Sequence, residues 1–413
     1  MIIDSKQYAG RCACGKTHTL QTAYTVVERG CMTKLNALMA QHELGGFTVA
    51  VYDANTYTAT ADRHPQADAE IVLQPEGLHA DERGVALLLE QLPPQAQTII
   101  AVGAGTIHDI VRYCAYERGA DFVSCPTAAS VDGFCSSVAS MTWEGCKKTL
   151  TAVAPKIVVA DVDIIKAAPL RLARSGFGDM VGKYVALSDW KIAHLLTGEY
   201  YCPHIAQLTQ EATQAVVDCV DGIIAGDADA YEKLTYGLLL SGLAMQMLGN
   251  SRPASGAEHH ISHLIEMAPE GLDVRSDALH GEKVGMGTLL AIGEYQRLRT
   301  VDPQQFADYR GFSDGELQAI FGAQTAAGLR EENRQDCAAA VTAQQLRQSW
   351  QAICAVLSQL PQPEELRALY ERGGICAAPE DIGVAGEKAA QLLDASPAVR
   401  NRLTLMRLRR CLE

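Results

Sequence analysis

The chain has 413 residues, of which 48% are hydrophobic and 20% charged. That is the balance of a globular protein with a buried core and length for two or three domains. Its formal net charge of −14 excludes nucleic acid or an anionic membrane surface as the main partner, since both need a concentrated positive field. No run of about 18 apolar residues occurs, so no membrane insertion is expected. The opening "MIIDSKQYAGRCACGKTHTL" has no basic region followed by an apolar one, so no export signal is read there. The 13 cysteines, odd in number and scattered, then read as reduced thiols of a cytoplasmic protein. "CACGKTH" places Cys12, Cys14 and His18 together as in half of a zinc knuckle. However, C-x-C lacks the usual ligand spacing and no second cysteine pair follows, so a metal is not the expected reading there.

Further along, "GFTVAVYD", "TIIAVGAG", "DFVSCPT" and "KIVVADVD" read as short apolar strands ending in turn residues. Helical stretches such as "MTKLNALMAQHEL" and "DERGVALLLEQL" lie between them. Continuous apolar strands alternating with helices predict a parallel sheet covered on both faces. After about residue 165 the strand signals stop. From "PLRLARSGFGDMVGKYVALSDWKIAHLL" to "PEELRALYERGG" the apolar residues follow helical spacing. Two domains are therefore predicted: α/β over 1–165, holding a dinucleotide, and all-α over 166–413, holding metal and substrate.

The first strand to carry chemistry is "TIIAV", which runs into "GAGTIHDIVRY". Gly103 and Gly105 sit where a strand turns into a helix and let backbone N–H groups approach a phosphate. The pattern falls short of the full dinucleotide fingerprint. A tight turn, with Asp109 complementing the helix dipole, explains it equally well. Asp53, just after the preceding strand, suits the hydroxyls of an adenosine ribose or an ordinary turn. The loop "CPTAASVDGFCSS" offers Thr127, Ser130, Asp132 and Ser136, a composition that wraps a polar ligand or simply turns the chain.

In the helical half, "RSGFGDMVGKY" supplies Asp179, with Lys183 as its i, i+4 neighbour if one helix carries both. "SRPASGAEHHISHLIEM" concentrates three of the 11 histidines. On a helix His259 and His263 lie about 40° apart on one face, while His260 points about 100° away from His259. Hydrogen-bonded histidines on a partly buried face are the alternative to metal ligands. "ALHGEKVGMG" adds His280. One carboxylate and two imidazoles are suitable ligands for a divalent metal that keeps open positions.

Taken in order, "GAGTIHD", "PTAASVDGF", "SGFGDMVGKY", "SRPASGAEHHISH" and "LHGEKV" resemble the glycerol-1-phosphate dehydrogenases, within the iron-type alcohol dehydrogenase and dehydroquinate synthase superfamily. The resemblance runs from about Asp53 to about Gly287 and loosens at both ends. It implies an N-terminal Rossmann-like α/β domain and an all-α C-terminal domain, dehydroquinate synthase-like, with the active site in the interdomain cleft. It further implies that Asp179, His259 and His280 bind one divalent metal (zinc, nickel or iron), with His263 and Asp132 facing substrate and His260 idle. Asp53, Gly103, Gly105, Thr106, Asp109, Thr127, Ser130 and Ser136 become contacts to NAD(P). Relatives often carry a third glycine where this chain has Ala104, a change that needs φ negative there. The implied reaction interconverts dihydroxyacetone phosphate and glycerol 1-phosphate, in a cytoplasmic homodimer. Lys183 and Arg252 are the basic residues placed for the substrate phosphate. The rival readings are a phosphate-free polyol dehydrogenase, a dehydroquinate-synthase-like lyase, and a non-catalytic dinucleotide or metal sensor.

Overall fold

The computed structural model describes residues 1–143 and 146–412. Its strands, in chain order, are β1 (Ile2–Asp4), β2 (Gly10–Arg11), β3 (Thr17–His18), β4 (Tyr24–Glu28), β5 (Phe47–Asp53), β6 (Ala69–Leu73), β7 (Ala96–Gly103), β8 (Asp121–Pro126), β9 (Val138–Trp143), β10 (Cys146–Thr151) and β11 (Ile157–Asp161). Seven of them form one sheet in the order β1-β4-β11-β8-β7-β5-β6. Every pairing is parallel except the edge strand β1 against β4. The apolar runs follow from this. Val49, Val51, Ile99 and Ala101 face one buried layer, and their chain neighbours Ala50, Tyr52, Ile100 and Val102 face another. A strand covered on both sides has no polar face to alternate with. Among the described residues no strand follows β11.

Contacts group the chain into two compact units whose borders differ from the expected 165/166 boundary. The first comprises Met1–Met180 and Gln214–Asn250; the second comprises Val181–Thr213 and Ser251–Glu413. The helix Ala228–Leu248 explains the first unit's second segment. It buries Leu234, Leu238, Leu239 and Leu243 and packs on β4, on the helix Val162–Ala167 and on the turn Gly133–Cys135. Asp179, predicted for the helical domain, consequently lies in the first unit.

The second unit is helical. Its histidine-bearing helix, Ala257–Met267, packs against His280–Leu298. Gly287 permits the approach: a Cβ there would stand 2.8 Å from the Glu258 carbonyl oxygen and 3.3 Å from Ile261. The long helical stretch predicted from residue 169 onward is two helices, Leu170–Val181 and Lys183–Thr197. Asp179 and Lys183 thus do not share one helix. Among the described residues no helix is long and apolar enough to cross a membrane.

Candidate active site

In the first unit, the neighbouring strands β5, β7 and β8 end at one edge of the sheet, and each is followed by predicted site residues. The carboxyl edge of a parallel sheet is where such folds hold ligands. Asp53 ends β5 and caps the helix Ala54–Ala59, accepting the Thr56 N–H at 2.9 Å. Gly103 ends β7; a Cβ on it would meet Ile107 at 2.6 Å, so only glycine allows this strand-to-helix turn. Ala104 follows with φ −88°, within the range any L residue adopts. It caps the helix Gly105–Arg118 without a side-chain hydrogen bond. Thr106 is exposed in the first turn of that helix.

Thr127 follows β8 and donates its N–H to the Gly103 carbonyl at 3.0 Å. Asp109 sits 3.5 Å from Arg112, which is wholly buried. Arg112 in turn donates to the carbonyls of Gly133, Phe134 and Val138, pinning the loop that carries Ser136. Ser136 hydroxyl donates to Val138 O at 2.9 Å. Ser130 accepts from the Ser175 hydroxyl through its carbonyl, at 3.1 Å. Asp132 is held twice: its N–H donates to Asp179 Oδ2 at 2.9 Å, and its own Oδ2 accepts the Ser241 hydroxyl at 2.9 Å. Gly242, beside Ser241, has no room for a Cβ, which would lie 2.8 Å from Asp132 O. Asp179 is fully buried.

In the second unit, three imidazoles converge. His259 and His280 have ring centroids 5.4 Å apart, and His263 lies 6.0 Å from the first and 5.9 Å from the second. His259 Nδ1 sits 2.7 Å from Glu258 Oε1, and His280 Nδ1 sits 2.7 Å from Glu266 Oε1. A carboxylate only accepts, so each Nδ1 carries the proton and each Nε2 keeps its lone pair. That is the arrangement of metal-ligating histidines, with a carboxylate fixing tautomer and orientation. Glu258 also accepts the Gly256 N–H at 2.8 Å. Burial pushes the His263 imidazole well below its usual value, which favours its neutral form. His260 is buried with no hydrogen-bond partner on either ring nitrogen among the described residues, and burial lowers it likewise.

The two basic residues read as phosphate contacts are both engaged. Arg252 forks onto the Glu199 carboxylate and donates to Leu403 O at 2.8 Å. A phosphate at Arg252 would have to compete with that carboxylate. Lys183, also buried, donates to Ala254 O at 3.0 Å.

Sequence reasoning missed Glu258, Glu266 and Arg112. The first two stand inside the stretch quoted for its histidines, at positions i−1 to His259 and i+3 to His263. Carboxylates interleaved with histidines were the available signal. Arg112 had none, because its partners are carbonyls of a distant loop.

A sequence profile described as iron-containing alcohol dehydrogenase matches residues 26–169. The chain is 34% identical to the glycerol-1-phosphate dehydrogenase [NAD(P)+] of Geobacillus stearothermophilus, over 96% of this chain and 95% of the relative. It is 37% identical to that of Geobacillus thermodenitrificans (strain NG80-2), over 80% and 76%. Among solved structures, an iron-containing alcohol dehydrogenase from Corynebacterium glutamicum superposes with a TM-score of 0.63 at 14% identity. The superposition covers 95% of this chain and 94% of that one, which shows the shared fold. With a relative this similar aligned over nearly the whole of both chains, the chain belongs to the glycerol-1-phosphate dehydrogenase family.

Proposed function

We propose that the protein interconverts dihydroxyacetone phosphate and glycerol 1-phosphate, using NAD(H) or NADP(H) and one divalent metal. The observation that carries the reading is the pair His259 and His280, each with Nδ1 held by a carboxylate that orients the ring. The resemblance adds Asp179 to the two imidazoles, and one carboxylate with two imidazoles suits zinc, nickel or iron and leaves positions for substrate. When bound, the cation supplies Lewis acidity at the carbonyl oxygen and the nicotinamide supplies the hydride. His263, neutral, holds or moves the proton at the substrate hydroxyl. Asp132, fixed by Ser241, orients the same end of the substrate. The uncapped start of the helix Gly105–Arg118 and the hydroxyls of Thr127, Ser130 and Ser136 bind the dinucleotide. The cytoplasmic homodimer implied by the resemblance is part of the same proposal.

The test is loss of reduced-nicotinamide absorbance with dihydroxyacetone phosphate against dihydroxyacetone, before and after chelation and metal return. Oxidation of cofactor by the phosphorylated ketone alone, dependent on metal, is the expected result. Equal efficiency on the two ketones would promote a polyol dehydrogenase, and no turnover of any carbonyl would promote a sensor.

Asp53 at the end of β5 would accept from a free ribose 2′-hydroxyl and repel a 2′-phosphate. Asp53→Ala should therefore narrow any preference for NADH. Since the substitution also removes a helix cap worth about 1 kcal/mol, the readout is the NADH to NADPH ratio of kcat/KM rather than activity. An unchanged ratio places Asp53 outside the site.

For the phosphate end the proposal rests on Lys183, a buried ammonium that donates to Ala254 O at 3.0 Å. Arg400 is added to it. Burial and the neighbouring Arg252 and Arg400 push Arg402 down to about 10, and Arg400 also bears on His263. Crowded, partly buried cations next to a substrate-facing histidine favour an anionic ligand. Lys183→Ala should raise KM for dihydroxyacetone phosphate far more than for dihydroxyacetone. A parallel rise for both ketones would make Lys183 a structural residue only.

A further inference from the structure

The N-terminal hairpin holds a constellation that the dehydrogenase reaction does not use. β2 pairs with β3 through Gly10 with His18 and Arg11 with Thr17. Between them the chain curls tightly: the Cys12 N–H donates to Lys16 O at 2.9 Å and the Gly15 N–H to Cys12 O at 3.0 Å. Gly15 has φ +89°, a left-handed conformation that favours glycine. This curl defeats the objection raised by the C-x-C spacing, because in a turn both thiols fold back over His18. The ligand atoms of Cys12, Cys14 and His18 all lie within 4.8 Å of one another.

His18 is 3% exposed, and its Nδ1 lies 2.8 Å from the Met247 carbonyl oxygen. A carbonyl only accepts, so Nδ1 carries the proton and the Nε2 lone pair is presented to the thiols. Cys14 Sγ is 3.4 Å from that Nε2. Two donors on one tetrahedral zinc, with bonds of about 2.3 Å to sulfur and 2.0–2.1 Å to nitrogen, stand about 3.5 Å apart. The fixed tautomer with its outer hydrogen bond is the second shell that metal-ligating histidines carry.

We propose that Cys12, Cys14 and His18 bind a second metal ion, a zinc with a structural role. The three donors leave one tetrahedral position for water or a further side chain. Binding releases both thiol protons, so two thiolates neutralise the dication. The ion ties the hairpin, through His18, to the C-terminal end of the helix Ala228–Leu248. Ser241 of that helix holds Asp132. The thiolate-rich donor set separates this zinc from the active-site cation, which takes imidazole and carboxylate.

The test uses full-length protein purified under reducing conditions, with metals counted per chain in the wild type, in Cys12→Ser/Cys14→Ser and in His280→Ala. The double variant is expected to lose one equivalent of zinc and keep the other metal, and His280→Ala to do the converse. Cobalt-loaded wild type should show near-ultraviolet thiolate-to-cobalt charge transfer, which His280→Ala retains. Metal content unchanged in the double variant, or cobalt-loaded wild type without that band, overturns the proposal. The wild-type spectrum decides the question even where the double variant fails to fold. Neither result bears on the reading of the active site.

Discussion

Replacing His280 by alanine is expected to yield a folded protein without its active-site metal, reducing dihydroxyacetone phosphate at least about a thousandfold more slowly. The metal's Lewis acidity is worth several kcal/mol at the carbonyl oxygen, and about 4 kcal/mol corresponds to that factor. His259→Ala should behave the same way, since His259 and His280 each have Nδ1 tied to a carboxylate. The carboxylates permit a graded version of the experiment. Glu266→Gln leaves His280 in place but weakens the acceptor that fixes its tautomer, which should cost about 10–100-fold in metal affinity. Activity of Glu266→Gln should return when metal is added in excess; that of His280→Ala should not. Stoichiometric metal retained in both histidine variants would remove the two residues from the metal site. Loss of metal with no difference between the glutamine and alanine variants would remove Glu266 from its orienting role.

How far this site was legible depended on the range of each interaction. The strands β5, β7, β8 and β11 announced themselves because a strand buried on both faces needs an unbroken apolar run. The helix Ala257–Met267 was only a condition for placing His259 and His263 on one face, and the chain is helical there. The edge strands β1 and β6 passed unread because short half-covered strands lack that run, and β4 was read as neither helix nor strand. The boundary between the units was not readable at all. The apolar helix Ala228–Leu248 looks like any other helix of the second half, and only its packing on β4 and on the turn Gly133–Cys135 assigns it to the first unit. Arg252 shows the same limit from the other side. Its charge was visible in the sequence, but Glu199, which neutralises it, lies 53 positions earlier in the chain. Cys12, Cys14 and His18 were visible as a cluster, but the backbone curl at Gly15 that gathers their ligand atoms was not.

Asp189→Ala is expected to cost about 3–5 kcal/mol of folding stability, a large share of a typical total. Asp189 is wholly buried in the second unit. Its Oδ1 accepts the Tyr295 hydroxyl and the Leu405 N–H, both at 2.8 Å, and its Oδ2 accepts the Ala257 N–H at 2.9 Å. It therefore ties together three elements: the start of the histidine helix, the helix His280–Leu298 and the C-terminal segment. Removing it strands three donors, each worth about 1–3 kcal/mol when buried and unpaired. Asp189→Asn keeps the shape and one acceptor, so it should cost less. The two variants also differ from wild type in pH dependence. Burial pushes the Asp189 carboxyl up to about 7, above an unfolded value of about 3.9. A raised carboxyl binds its proton more tightly in the folded state, so its contribution to stability is present below about pH 4 and is lost as pH rises toward 7. Asparagine does not titrate, and the penalty of Asp189→Asn should shrink between those limits. Urea unfolding at both ends of the range measures both effects. An unfolding free energy for Asp189→Ala within about 1 kcal/mol of wild type would show that the three donors find other partners. A penalty for Asp189→Asn independent of pH would show that the carboxyl does not titrate between those limits in the folded state.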